Sequence, residues 1–231
     1  MKLAVHNITG KETSKKVDLS NDVFGVEPND HAIYLDVKQY LAAKRSGTHK
    51  AKERSDVKGS RRKLRKQKGS GAARVGDIKN PLFRGGGRVF GPRPRSYDFK
   101  VNKKVKRLAR KSALSYMAKD KNIIVLEDFS FDTPKTKSYT DILSNFDLLD
   151  NKTVLVLAES NKNIFLSSRN LKKVKVVLAS ELNTYTVMNA NKLMVMESSI
   201  NEIEKNFWYL SDEYYKKTGY NRKNDRPKRE V

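Results

Sequence analysis

The sequence predicts an α/β fold, a mainly parallel sheet with helices on both faces, carrying one long extended basic loop. Three observations lead there. Four short, continuously apolar runs, Ile123–Leu126, Val154–Leu157, Val174–Leu178 and Leu193–Met196, have the pattern of strands buried on both sides. Segments of helical period separate them, and strands alternating with helices imply right-handed crossovers and a parallel sheet covered on both faces. Some 50 residues, from Ser46 to about Asp98, show no apolar period at all.

Taken in chain order, Lys2 to Ile8 alternates loosely and reads as a strand. A polar turn at Asn7 to Lys16 follows, then a short extended piece at Val17 to Leu19. From Asp30 the pattern turns helical: Ile33, Val37, Tyr40 and Leu41 recur at i, i+4, i+7 and i+8, with Asn29 or Asp30 as N-cap and Gly47 past the end. After the aperiodic stretch a helix resumes at Asn102. Val105, Leu108, Ala109, Ser112, Ala113, Tyr116 and Met117 form its apolar stripe, while Lys103, Lys104, Lys106, Arg107, Arg110 and Lys111 stay largely off it. Between the later strands, Tyr139, Ile142, Leu143 and Phe146 make a helical face behind an N-capping Ser138. Further helices are predicted at Asn161 to Arg169 and Leu182 to Met188, and a last one after Ser198 or Ser199 carries Ile200 and Ile203. The tail from Phe207 is aromatic (Trp208, Tyr209, Tyr214, Tyr215), then polar and basic to Val231; it reads as a surface appendage.

With 231 residues and 37% apolar content the chain can bury a core. No stretch approaches the roughly 18 to 20 apolar residues of a membrane helix, and Met1 to His6 lacks a signal-peptide core, so a soluble, cytosolic protein is expected. There is no cysteine, and His6, His31 and His49 are scattered; neither a metal site nor a cofactor is expected.

Charge is the dominant compositional fact. The net charge is +23, and Lys44 to Lys111 alone holds 25 Lys and Arg against 4 Asp and Glu, while the rest of the chain is nearly neutral at 24 against 22. A structureless stretch this long inside a compact domain argues against itself unless it is functional or folds on a partner. The block Arg61-Arg62-Lys63-Leu64-Arg65-Lys66-Gln67-Lys68 would repel itself without a polyanion to neutralise it. Glycines at 59, 69, 71, 76, 85 to 87 and 91 permit close backbone approach. Phe83, Phe90, Tyr97 and Phe99 can stack on unpaired bases or anchor the loop, and Pro92 and Pro94 stiffen its return. These features predict an RNA-binding loop. Its expected RNA contacts begin with Lys44, Arg45, Lys50, Lys52, Arg54 and Lys58, and continue through Arg61, Arg62, Lys63, Arg65, Lys66, Lys68 and Arg74. They return along Lys79, Arg84, Arg88, Arg93 and Arg95 and extend onto the following helix at Lys103, Lys104 and Arg107. Arms of about 25 residues at roughly 3.3 Å each would reach on the order of 80 Å if fully extended.

Enzyme signatures fail in detail. Gly69-Ser70-Gly71-Ala72-Ala73-Arg74 has Arg at the third glycine position of a dinucleotide fingerprint and no apolar strand before it, and no G-x-x-x-x-G-K-[ST] occurs. Glu127 and Asp128 follow a strand but lack a neighbouring nucleophile, base or ligand with recognisable spacing. No catalytic function is predicted.

Gln67-Lys68-Gly69-Ser70-Gly71, Ala73-Arg74, Asn80-Pro81, Gly85 to Gly87, Arg93-Pro94, Val101-Asn102-Lys103-Lys104, Ser112-Ala113-Leu114-Ser115, Pro134-Lys135-Thr136-Lys137 and Arg169-Asn170-Leu171 stand in an order that resembles the universal large-subunit ribosomal protein four in its bacterial form, up to about Asn206. The resemblance implies a structural constituent of the large subunit bound to large-subunit rRNA, neighbouring ribosomal proteins among its partners. It further implies a loop tip, Gln67, Lys68, Gly69, Ser70, Gly71, Ala72, Ala73 and Arg74, lining the nascent-peptide tunnel beside another protein's hairpin, with Lys68 facing the peptide. Macrolides bind near that constriction in the family. Leu64-Arg65 replaces the family's Pro-aromatic pair, and Ala72 replaces its Arg. The expected organisation is residues 1–45 and 99–206 as a globular α/β domain, 46–98 as the extended basic loop, and 207–231 as a C-terminal extension.

Overall fold

The structure, a computed structural model, describes residues 1–208; Tyr209, Tyr214, Tyr215 and the basic end of the tail lie outside the described residues. The chain divides into two compact units, one of residues 1–40 with 101 onward and one of Leu41–Lys100.

The first unit contains a six-stranded sheet. Its elements are β1 (Lys2–His6), β2 (Glu12–Asp18), α1 (Asn21–Phe24), α2 (Asp30–Ala43, continuing to the edge of the second unit), α3 (Lys103–Lys119), β3 (Ile123–Leu126), α4 (Thr136–Asn145), β4 (Thr153–Leu157), α5 (Lys162–Ser168), β5 (Val174–Leu178), α6 (Thr184–Met188), β6 (Lys192–Met196) and α7 (Glu197–Trp208). The strand order is β2-β1-β3-β6-β4-β5, and only the β1–β2 pair is antiparallel. The predicted fold class, mainly parallel with helices on both faces, is what is found.

Strand register explains the two faces. Val5, Val125, Val195, Val156 and Val177 pair side by side across five strands, forming a valine row on one face. Against that face pack Val23 and Phe24 of α1, Leu114 and Met117 of α3, Val187 of α6, and Ile200, Ile203 and Phe207 of α7. The alternate positions, Leu126, Leu155, Leu157, Met194 and Met196, point the other way onto Tyr139, Ile142 and Leu143 of α4 and Ile164 of α5. Period two along each strand thus divides one apolar run between two cores. Burying each such side chain contributes about 1.5–3 kcal/mol.

Polar caps set several helix starts. The Asn161 side chain accepts hydrogen bonds from the backbone N–H groups of Asn163 (3.0 Å) and Ile164 (3.2 Å), and Asn183 accepts one from Thr186 (2.8 Å). Asp128 Oδ1 accepts from the Ser198 hydroxyl (2.8 Å) and backbone N–H (3.3 Å) at the start of α7. Its neighbour Glu127 pairs with Lys15 at 3.4 Å. Both carboxylates have structural partners.

Four elements differ from the sequence reading. The second half of the polar turn expected at Asn7 to Lys16 is strand: β2 runs Glu12–Asp18, taking in Val17 and Asp18 of the expected extended piece but not Leu19, and its exposed Glu12, Ser14, Lys15 and Lys16 at the sheet edge hide its period. Helix α4 starts at Thr136, so Ser138 lies inside it and Lys135 holds the cap position without a side-chain cap. Leu182 precedes α6, separated from it by the Asn183 cap and preceded by a 3-10 turn at Ala179–Glu181. Helix α7 begins at Glu197 and runs to Trp208, so the buried Phe207 belongs to the helix.

Helix α2 is found where predicted, and its stripe is the predicted one in part: Ile33 is buried and Val37 and Tyr40 are half-buried, but Ala32 and Asp36 are buried as well and Leu41 is 45% exposed. Polar contacts seat it. Asp30 accepts from the Tyr116 hydroxyl (2.6 Å), Asp36 from Thr184 (2.5 Å), and the Ser112 hydroxyl from the Asn29 N–H (3.1 Å), while Tyr40 stacks on Tyr185 at 4.9 Å. The Asp30 carboxylate accepting its proton holds the Tyr116 phenol above its ordinary value. On α3 the buried face widens to include Leu114, Ser115 and Ala118, while Leu108 is 37% exposed.

Candidate nucleic-acid interface

The second unit, Leu41–Lys100, holds no helix or strand beyond the end of α2. Isolated backbone bonds order it instead. The Ala51 N–H donates to the Pro92 carbonyl (3.0 Å), Arg88 to Lys52 (2.8 Å) and Arg95 to Gly47 (3.2 Å), so an outgoing arm near 47–54 runs antiparallel to a returning arm near 87–95. Gly87 N–H to Lys79 (3.0 Å) closes a small inner loop, and Leu64 N–H to Gly76 (2.9 Å) closes the outermost one.

Glycine allows the arms to meet. A Cβ on Gly87 would stand 2.6 Å from the Arg54 Cα, and one on Gly91 would stand 2.5 Å from the Ala51 Cβ; real side chains have no room there. Gly69 and Gly71 have open space around them, and their φ values of +84° and +62° serve the turn itself.

The few acids of this unit clip it together. Asp77 takes Arg54 at 3.0 Å, Asp56 takes Lys50 at 3.0 Å, and Glu53 takes Arg93. Hydrogen bonding from Arg54 holds the Asp77 carboxyl below its ordinary range, and Lys50 does the same for Asp56. Two guanidinium groups lie over the Tyr97 ring, Arg45 at 3.9 Å and Arg95 at 4.8 Å from its centre. A hydrogen bond from Arg95 holds its phenol below the ordinary value. This aromatic is therefore engaged by arginines of its own unit.

The structure presents nearly all the predicted contact residues to solvent. Lys44, Arg45, Lys50, Lys52, Arg54 and Lys58 are exposed, and residues 58–74 are exposed without interruption, including every tip residue from Gln67 to Arg74. Arg84, Arg88, Arg93 and Arg95 are exposed on the return, as are Lys103 and Lys104 on α3 in the first unit. Lys79 departs from the expectation: it is 8% exposed, and its charge is a lesser contributor, after Arg54, to holding the Asp77 carboxyl below its ordinary range. Arg107 is half-buried. Just before the tip, Lys63 donates to the side chain of its first residue, Gln67. A cleft of about 520 Å³ is edged by Lys58, Arg62, Lys63 and Arg84 over apolar Val57, Leu64 and Ile78.

Two features carry no signal in the sequence. The ion-pair clips join residues 6 to 40 positions apart, beyond any local period. On the first unit, the fold brings Lys152 to the local cluster Lys172, Lys173 and Lys175 around a cavity of about 220 Å³ lined also by Thr153 and Val154 of β4 and Val174 of β5, a meeting the sequence does not announce. Among the described residues, no group of His, Cys, Asp or Glu is placed to hold a metal ion, and no helix is long and apolar enough to cross a membrane.

A model of the ribosomal protein L4/L1 family matches residues 17–206. The chain is 61% identical over 204 residues to the large ribosomal subunit protein uL4 of Christiangramia forsetii, covering 88% of this chain and 98% of that protein. It is 61% identical over 206 residues to that of Flavobacterium psychrophilum (89% and 99%) and 59% over 207 residues to that of Parabacteroides distasonis (90% and 99%).

Proposed function

We propose, from the premise that this chain belongs to the ribosomal protein L4/L1 family, that its second unit is the surface that holds large-subunit rRNA. Members of the family are non-enzymatic structural components of the large ribosomal subunit, and this chain is one of them, working in translation in the cytoplasmic ribosome. The observation that carries the finer reading is the uninterrupted exposure of residues 58–74, eight of whose members are Lys or Arg and none Asp or Glu. Without a polyanion such a run repels itself; along an RNA backbone each cation displaces a condensed counterion. The clips at Asp77, Asp56 and Glu53 hold the arms, and the tip is left with few internal contacts to lose on binding. By the family resemblance, Gln67 to Arg74 lies along the nascent-peptide tunnel with Lys68 toward the peptide, next to another ribosomal protein's hairpin.

Salt-dependent binding tests this. Affinity of the full chain for large-subunit rRNA should fall by a slope of roughly 0.7–0.9 in log K per phosphate contact. Replacing Lys63, Arg65, Lys66 and Lys68 with Ala together should flatten that slope by about 3. An unchanged slope would remove the basic run Lys63 to Lys68 from the contact surface.

A further inference from the structure

Phe90, in the basic unit, stands wholly in water, and it holds φ at +52°, a backbone region that side chains other than glycine rarely occupy. Its fellow aromatics are differently placed. Tyr97 is taken by Arg45 and Arg95, Phe83 is half-buried, and Phe99 is 37% exposed. The backbone that displays Phe90 is pinned on both sides. Arg88 N–H is bonded to Lys52 and the Pro92 carbonyl to Ala51, while Gly87 and Gly91 lie flush against Arg54 and Ala51. The ring thus stands at a fixed point beside a cleft of about 620 Å³ edged by Arg54, Arg88 and Arg93. Two of those guanidinium groups are held by Asp77 and Glu53. Arg88 has no side-chain partner among the described residues.

We propose that Phe90 is a stacking platform for one unpaired base of the bound RNA, with Arg88 on an adjacent phosphate. The inference rests on the RNA-binding reading above and specifies its ligand: a bulged, looped or single-stranded nucleotide rather than a continuous duplex. In a duplex each base face is already covered by its neighbours, so an exposed protein ring finds a free π-face only where pairing is interrupted. Charge selects RNA over a protein partner. An apolar protein surface seated on Phe90 would have to desolvate the surrounding arginines, whereas a nucleotide supplies an aromatic face and an anion together.

The test uses the full chain with large-subunit rRNA and two short probes of equal length, a single-stranded oligoadenylate and a blunt RNA duplex. Phe90→Ala and Phe90→Leu should each weaken rRNA binding by about 5- to 150-fold, the range of a single base stack, without changing the salt slope. Arg88→Ala should reduce that slope by about 1. In Phe90→Trp, binding should be retained, and the fluorescence added over the wild type, which already contains Trp208, should be quenched by the single strand and not by the duplex. If the wild type binds rRNA with a steep salt slope and Phe90→Ala binds equally well, the stacking site is wrong while the RNA reading stands. If the wild type fails to bind rRNA, the reading beneath it fails too. Quenching of the added indole fluorescence of Phe90→Trp by the duplex as strongly as by the single strand would also overturn the proposal.

Discussion

Single residues fix the loop's geometry, and their failures are separable. Gly87 has backbone atoms of Arg54 within 2.6 Å of where a Cβ would stand, and backbone cannot swing aside as a side chain can. Gly87→Ala is therefore expected to part the arms, lowering rRNA affinity at least tenfold while the midpoint of thermal unfolding of the α/β unit stays unchanged; equal affinity would show that the arms tolerate separation. The carboxylate clips carry a pH dependence of definite sign. Asp77 and Asp56 titrate below their ordinary value of 3.8 in the folded loop. Their ion pairs contribute fully above that value and are lost as pH falls through the lowered folded one. Amide exchange at Arg88 and Gly87, corrected for its intrinsic pH dependence, should lose protection as pH is brought below about 4. Asp77→Asn should show at pH 7 the weaker protection the wild type reaches only in acid. Protection indifferent to both changes would mean that Arg54 and Asp77 do not hold the arms.

At the scale of elements, what was legible in the sequence follows from what each element packs against. Strands β3, β4 and β6 are sandwiched between two cores, so nearly every position is apolar and the runs stand out; β5, though an edge, keeps its run because Val177 meets one core and Val174, Val176 and Leu178 the other. Strand β2 is an edge, where lysines guard the open hydrogen-bonding side, and its period is lost in charge. Helix α2 was legible as a helix and only partly in its buried face, because Asp30, Asp36 and Tyr40 add hydrogen bonds and ring stacking to the apolar contacts of Ile33. The candidate interface was legible as charge and glycine, one-dimensional quantities. Its clips and the separate fates of Tyr97 and Phe90 depend on which residues the folded arms bring together, and no local pattern encodes that. The same contrast predicts energies. Leu193, at 0% exposure in the central β6, should cost about 2–5 kcal/mol when replaced by Ala. Lys16→Ala on the exposed edge should lie within about 0.5 kcal/mol of wild type. Urea unfolding of the two variants checks both figures, and a comparable loss in each would contradict the assigned core.

Across the whole molecule, salt should act in opposite directions on the free loop and on its complex. Residues 41–100 carry 19 Lys and Arg against 4 Asp and Glu, and their order depends on scattered backbone bonds and three ion-pair clips rather than on a core. In free protein at low ionic strength, like charges on the two arms repel over a Debye length of about 10 Å at 0.1 M, which shrinks to about 3 Å at 1 M. Raising salt therefore relieves self-repulsion, although it also weakens the exposed clips; with nearly five cations per acid the repulsion is the larger effect. Limited trypsin digestion, normalised to a control peptide at each ionic strength, should cut within 46–98 first and more slowly as salt rises, while the α/β unit survives throughout. Bound large-subunit rRNA should protect the same segment at low salt, where phosphates neutralise the arms, and that protection should fade as salt competes for them. A loop equally resistant at every ionic strength, with and without rRNA, would mean that its own contacts suffice to hold it and that neutralisation by RNA is not what orders it.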